Sequence, residues 1–95
     1  MYEKFYSINR KNILGHELNG LKIRIVNSSD PKKIGLKGII MKETKNTFVI
    51  ESEGIEKIIP KKEVLIEFEI EGEKIAVKGN ELTSRPEDRI KKFIR

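Results

Sequence analysis

The side chains able to carry chemistry in this chain are almost all ammonium, guanidinium and carboxylate groups. Cysteine is absent and His16 is the single histidine. Without cysteine there is no thiolate nucleophile and no cysteine-based zinc or iron–sulfur site, and one imidazole cannot make a zinc site by itself. Ser7, Ser28, Ser29, Ser52 and Ser84 have only His16 as a base, and no spacing among them supports a triad. Glu67, Glu69 and Glu71 recur at period two, which puts three carboxylates on one face of a strand. They lack the mixed ligands and the loop of a cation site, and they read as a solvated face. Gly35 and Gly38 precede an apolar, strand-like run, whereas phosphate-binding loops and dinucleotide fingerprints open a helix. The sequence therefore predicts no catalytic residue, no metal ligand and no cofactor held by this chain.

The cations are the richer source of chemistry. They fall in clusters: Arg10 and Lys11; Lys22 and Arg24; Lys32, Lys33 and Lys37; Lys61 and Lys62; and Arg85, Arg89, Lys92 and Arg95. Each can meet a phosphate oxygen, arginine also through a bidentate fork. The formal charge of +5 is uneven: residues 1–24 carry +3, residues 25–84 carry −1 and residues 85–95 carry +3. A near-neutral centre with basic ends suits a phosphate backbone, each contact adding salt-dependent affinity. A solvated surface rich in Lys and Glu gives the same totals, so the clustering carries the argument. Outside the expected core and tail helix, the aromatic residues are Tyr2, Phe5 and Tyr6. That scarcity disfavours a binder that stacks single-stranded bases and favours a folded RNA read through shape and backbone.

Short strands must position these groups. Leu21 to Val26 alternates, with Leu21, Ile23 and Ile25 inward and Lys22 and Arg24 outward. A hairpin follows from Ile34 to Ile50, with its turn expected at Lys45-Asn46, where asparagine accepts a positive φ. Strands are expected at Thr47–Glu51 and Ile55–Ile59, the latter closed by Pro60. Glu63–Glu71 and Ile75–Val77 complete six. No connection is long enough for a crossover helix, so the sheet is antiparallel. The expected fold is all-β: a small six-stranded antiparallel barrel of Sm-like or SH3-like type, with short N-terminal and C-terminal helices. Closure would remove its open edges.

Residues 1–11 read as a flexible basic arm, 12–84 as a short helix plus the barrel core, and 85–95 as a basic C-terminal helix. Asn12 is expected to cap the first helical turn. Ser84 with Glu87 matches a capping box for the tail helix. No run reaches the roughly 20 apolar residues that span a bilayer, and Met1–Phe5 does not resemble a signal peptide. A cytoplasmic, membrane-free protein is expected.

Several ordered segments resemble the archaeal ribonuclease P protein component 1 family, counterpart of a eukaryotic subunit shared by RNase P and RNase MRP. These are Asn12-Ile13-Leu14-x-His16-Glu17-Leu18-x-Gly20-Leu21, Val26-x-Ser28-x-Asp30-Pro31, Ile34-Gly35-x-x-Gly38-Ile39-Ile40 and Glu43-Thr44-Lys45-Asn46-Thr47. The Pro60-Lys61 corner and the tail from Ser84 to Arg89 extend the resemblance over roughly residues 9–95. It implies a non-catalytic RNA-binding subunit of the RNA-based endonuclease that removes the 5′ leader of precursor tRNA, with magnesium serving the RNA. The implied partners are RNase P RNA, a zinc-ribbon subunit and the other RNase P proteins. The zinc ribbon would meet Ile13, Leu14, His16, Leu18 and Leu21. Two other readings remain open on the residues alone: a ribosomal or transcription-associated SH3-like RNA binder, and a protein-interaction barrel whose charge only keeps it soluble.

Overall fold

Alternating apolar residues become strands, and their register is tied to two tight turns. The structure, a computed structural model, describes residues 13–94, with side chains through Lys91. The strands are β1 (Lys22–Ser28), β2 (Lys37–Glu43), β3 (Thr47–Ser52), β4 (Ile55–Pro60), β5 (Val64–Ile70) and β6 (Glu73–Lys78). Helix α1 spans Pro86–Ile94, and 3-10 turns occupy Ile13–Gly15, Pro31–Lys33, Lys61–Glu63 and Gly79–Leu82. The expected N-terminal arm, the Asn12 cap, Arg10, Lys11 and Arg95 lie outside the described residues.

All six strands form one antiparallel sheet in the order β4-β3-β2-β1-β5-β6. Glu53-Gly54 and Glu71-Gly72 both take positive φ, the pattern of two-residue hairpins whose twist matches their strands. The Lys45-Asn46 turn differs from expectation, because Asn46 does not need positive φ. Thr44 N–H donates to the Thr47 carbonyl at 2.9 Å, and Thr47 N–H to Thr44 Oγ1 at 3.1 Å. The threonine hydroxyl thus supplies the local bond that closes the turn.

Two bulges bend the sheet. On β1 the register slips between Ile25 and Asn27, and on β2 between Ile40 and Lys42. Each inserts one unpaired residue, so the side chains beyond it exchange faces. The curl encloses Ile23, Ile25, Ile40, Phe48, Ile50, Ile59, Ile66, Phe68 and Ile75, with Ile13, Leu18 and Leu82 sealing the core.

The sheet stops short of the closed ladder that the strand count suggests: β4 and β6 are its two edges, with no pairing between them among the described residues. Their ends meet by other means. A Cβ on Gly79, just past β6, would sit 1.8 Å from the carbonyl oxygen of Lys61, just past β4. Only a residue without a side chain permits that approach.

Candidate nucleic-acid interface

Lys61 lies directly on this seam, and its side chain is not on the surface. It is fully buried, and its ammonium donates to Glu43 Oε2 at 2.9 Å. It also donates to the carbonyls of Thr44 at 2.6 Å, Leu82 at 2.7 Å and Ser84 at 3.0 Å. The ring of Phe48 lies beneath it, 5.0 Å from Nζ to centroid. The other Glu43 oxygen, Oε1, accepts from Arg89 Nη2 at 2.9 Å. Arg89 Nη1 reaches the carbonyls of Leu14 at 2.6 Å and His16 at 2.9 Å. One carboxylate and two cations therefore join β2, the corner after β4, the segment after β6, α1 and the N-terminal turn.

Local structure explains why these groups point inward. In unbroken alternation from Ile40, Lys42 would face the core and Glu43 the solvent. The β2 bulge reverses this, leaving Lys42 exposed and Glu43 buried. Burial pushes the Lys61 ammonium below its ordinary value; Glu43 pulls it back up, and Arg89 adds to the depression.

Two residues assigned from sequence to phosphate contact are thus corrected. Lys61 and Arg89 are structural, because their charged ends are consumed inside the fold. Two residues assigned to a protein partner are corrected likewise. Ile13 and Leu18 belong to the core, whereas Leu14, His16 and Leu21 are only partly buried. The Ser84 capping box is also not formed. Helix α1 begins at Pro86, with the Arg85 carbonyl accepting from Arg89 N–H at 2.9 Å, while Ser84 is tied through its backbone to Leu82 and Lys61.

Of the remaining described cations assigned from sequence, Lys22, Arg24 and Lys37 are exposed on the sheet, and the others lie in turns or at α1. Arg24 and Lys37 are directly opposite across β1 and β2, and Lys22 follows on the same outer face. Like charges in direct register are unfavourable in the free protein, and carboxylates offset them: Glu67 and Glu69 stand opposite Arg24 and Lys22 on β5, and Glu51 and Glu53 line the same hollow. Arg24 is tempered by Glu67 at 3.4 Å, a half-exposed pair. At the other end of β1, Lys33 bridges Asp30 at 2.8 Å and Glu63 at 3.6 Å, setting the Pro31–Lys33 turn beside the Lys61–Glu63 corner. The Lys33 hydrogen bond holds the Asp30 carboxyl below its usual range, and Asp30 in turn raises the Lys33 ammonium. Lys32 and Lys62 are exposed and make no ion pair among the described residues. Arg85 is exposed; the Lys92 backbone continues α1. Glu43 was missed by sequence reasoning. Its only signal was an acidic residue ending an apolar strand, which reads as polar turn until the bulge is known.

A curled antiparallel sheet with basic residues on its outer face and short helices at its ends is a small barrel of the Sm-like or SH3-like class. A family model described as "Ribonuclease P/MRP, subunit p29" matches residues 11–92. Ribonuclease P protein component 1 of Methanosphaera stadtmanae is 45% identical over 86 residues, covering 90% of this chain and 92% of that protein. Its counterpart in Methanocaldococcus jannaschii is 48% identical over 85 residues, covering 88% and 90%. The solved structure of Mth11, a homologue of human RNase P protein Rpp29, superposes with a TM-score of 0.58 at 39% identity, covering 79% of this chain and 99% of that one. The chain belongs to the ribonuclease P/MRP subunit p29 family.

Proposed function

We propose that this chain is the non-catalytic RNA-binding subunit of an archaeal RNase P, the RNA-based endonuclease that trims the 5′ leader of precursor tRNA. The observation that carries this reading is the near-complete, two-way coverage with ribonuclease P protein component 1 relatives. The geometry supplies the mechanism. A sheet locked at its seam holds Lys22, Arg24 and Lys37 in fixed relative positions. Set against RNA, these charges lower repulsion between backbone segments and release counterions. Catalysis stays with the RNA and its magnesium; the protein contributes placement.

The zinc-ribbon subunit is the proposed direct protein partner, meeting the partly exposed Leu14, His16 and Leu21, and the particle is proposed to work in the cytoplasm away from membranes. The test is precursor-tRNA cleavage by a particle rebuilt from cognate RNase P RNA and its proteins, with and without this chain, at low magnesium. Omission is expected to lower cleavage and re-addition to restore it. Unchanged cleavage across several magnesium concentrations would remove the chain from the functional particle. It would move the ribosomal SH3-like reading ahead.

A further inference from the structure

The β1 bulge does for Asn27 what the β2 bulge does for Glu43, but in the opposite direction. Continuing the alternation of Ile23 and Ile25 would turn Asn27 into the core. The slip instead sets Asn27 opposite Leu65 on the outer face, and Leu65 in turn faces Lys78. Asn27 and Lys78 thus flank Leu65 across three strands. Ser28, Ser29, Lys62 and Asn80 complete a groove of about 350 Å³ there.

Hydrogen bonding gives this groove a polarity. The Ser28 N–H donates to Asn27 Oδ1 at 2.9 Å, which commits the amide oxygen to the backbone and leaves its NH₂ to donate. The Asp30 N–H donates to Ser28 Oγ at 3.0 Å, leaving the hydroxyl proton to donate as well. Lys62 and Lys78 are exposed donors without an ion pair among the described residues. Glu63 is the carboxylate lining the groove; its Oε1 is buried without a hydrogen bond, and only the Lys33 ammonium, 3.6 Å away, offsets its charge. The groove therefore presents donors and positive charge and asks for an acceptor-rich anion. Its donors spread over two strand spacings, about 10 Å, which suits consecutive phosphates of one chain better than a lone ion.

We propose that this groove is a phosphate-contact site for an RNA backbone, with Asn27, Lys62 and Lys78 donating directly and Ser28 donating through its hydroxyl. The proposal rests on the RNA-subunit reading above and adds Asn27, Ser28 and Lys78, none of which the sequence assigned to RNA contact. Asn27→Asp is the informative substitution. It keeps the oxygen that accepts from Ser28 N–H, so the turn is retained, but replaces the NH₂ with a second anionic oxygen.

The experiment measures affinity of the full chain for cognate RNase P RNA over a salt series, for the wild type, N27D, K78Q and the exposed-turn control K45Q. Melting temperatures are checked alongside. K78Q is expected to weaken binding several-fold and to reduce the slope of log affinity against log salt by about 0.7–0.9. N27D is expected to weaken binding at least as much with an unchanged melting temperature, and K45Q to match the wild type. If the wild type binds cognate RNA specifically while N27D and K78Q bind equally well, the groove assignment falls and the RNA-subunit reading stands. If the wild type prefers cognate RNA no more than an unrelated RNA of equal length, both fall. A saturable shift of the Asn27 amide with inorganic phosphate, and none with RNA, would make this a free-anion site and overturn the assignment.

Discussion

Replacing Lys61 by methionine separates a structural lysine from an RNA-binding one. The substitution keeps the stem packed near Phe48 but removes an ammonium that serves Glu43 and three backbone carbonyls. Breaking a buried pair by removing one partner costs about 3–5 kcal/mol. Glu43 retains Arg89 at 2.9 Å, which places the expected loss near the lower end. A loss of about 3 kcal/mol is a large share of the roughly 5–15 kcal/mol that holds a domain together. At about 4–8 °C per kcal/mol for a domain of this size, the melting temperature should fall by roughly 10–25 °C. Thermal unfolding followed by circular dichroism reads this directly. RNA binding measured at a temperature where K61M is still folded should keep the wild-type salt slope, because the Lys61 ammonium is enclosed within the fold. Lys62→Gln should behave in the opposite way, with an unchanged melting temperature and a shallower slope by about 0.7–0.9. A K61M protein that melts within two or three degrees of the wild type, or that stays folded and loses slope, would refute the assignment of Lys61 to the seam.

Alkaline titration tests the same site. Because the folded state holds the Lys61 proton less tightly than the unfolded chain, folding releases a proton between the depressed value and the ordinary 10.5. Wild-type stability relative to K61M should therefore rise with pH through that window, and a gap that narrows in paired melts would contradict the burial argument. The partly buried Asp30–Lys33 pair titrates outside that window, and only its Lys33 member has the opposite sign. Its Asp30 contribution is present above pH 3.8 and lost as pH falls through the lowered folded value; its Lys33 contribution fades only above 10.5. Asp30→Asn should therefore lower the melting temperature slightly at neutral pH, where that contribution is otherwise present, and flatten the acid limb of the melting profile. Gly79→Ala puts a methyl group into the Lys61 carbonyl and should destabilise by at least the 1–3 kcal/mol typical of overpacking; an unshifted denaturant midpoint would show that the seam is loose. Arg89→Leu should release α1, since a nine-residue helix does not hold by itself, and amide exchange across residues 89–91 should accelerate sharply. Retained protection there would mean that apolar docking alone suffices.

The sequence by itself determined the local elements. Period-two alternation in β1 and β5, proline closing β4 and glycine at the hairpin turns were enough to place six antiparallel strands and a tail helix within a residue or two. Charge clustering and ordered motifs were enough to point to the family. Tertiary structure decided which charges are available to a ligand. A bulge is a one-residue register slip with no composition of its own, yet one slip buries Glu43 and another exposes Asn27. Once Glu43 is inside, Lys61 and Arg89 must follow, because an uncompensated buried carboxylate is far costlier than a paired one. Lys61 and Lys62 are adjacent and chemically identical in the sequence. Only the curl of the sheet, bringing Gly79 against the corner, sends one inward to lock the seam and leaves the other in solvent.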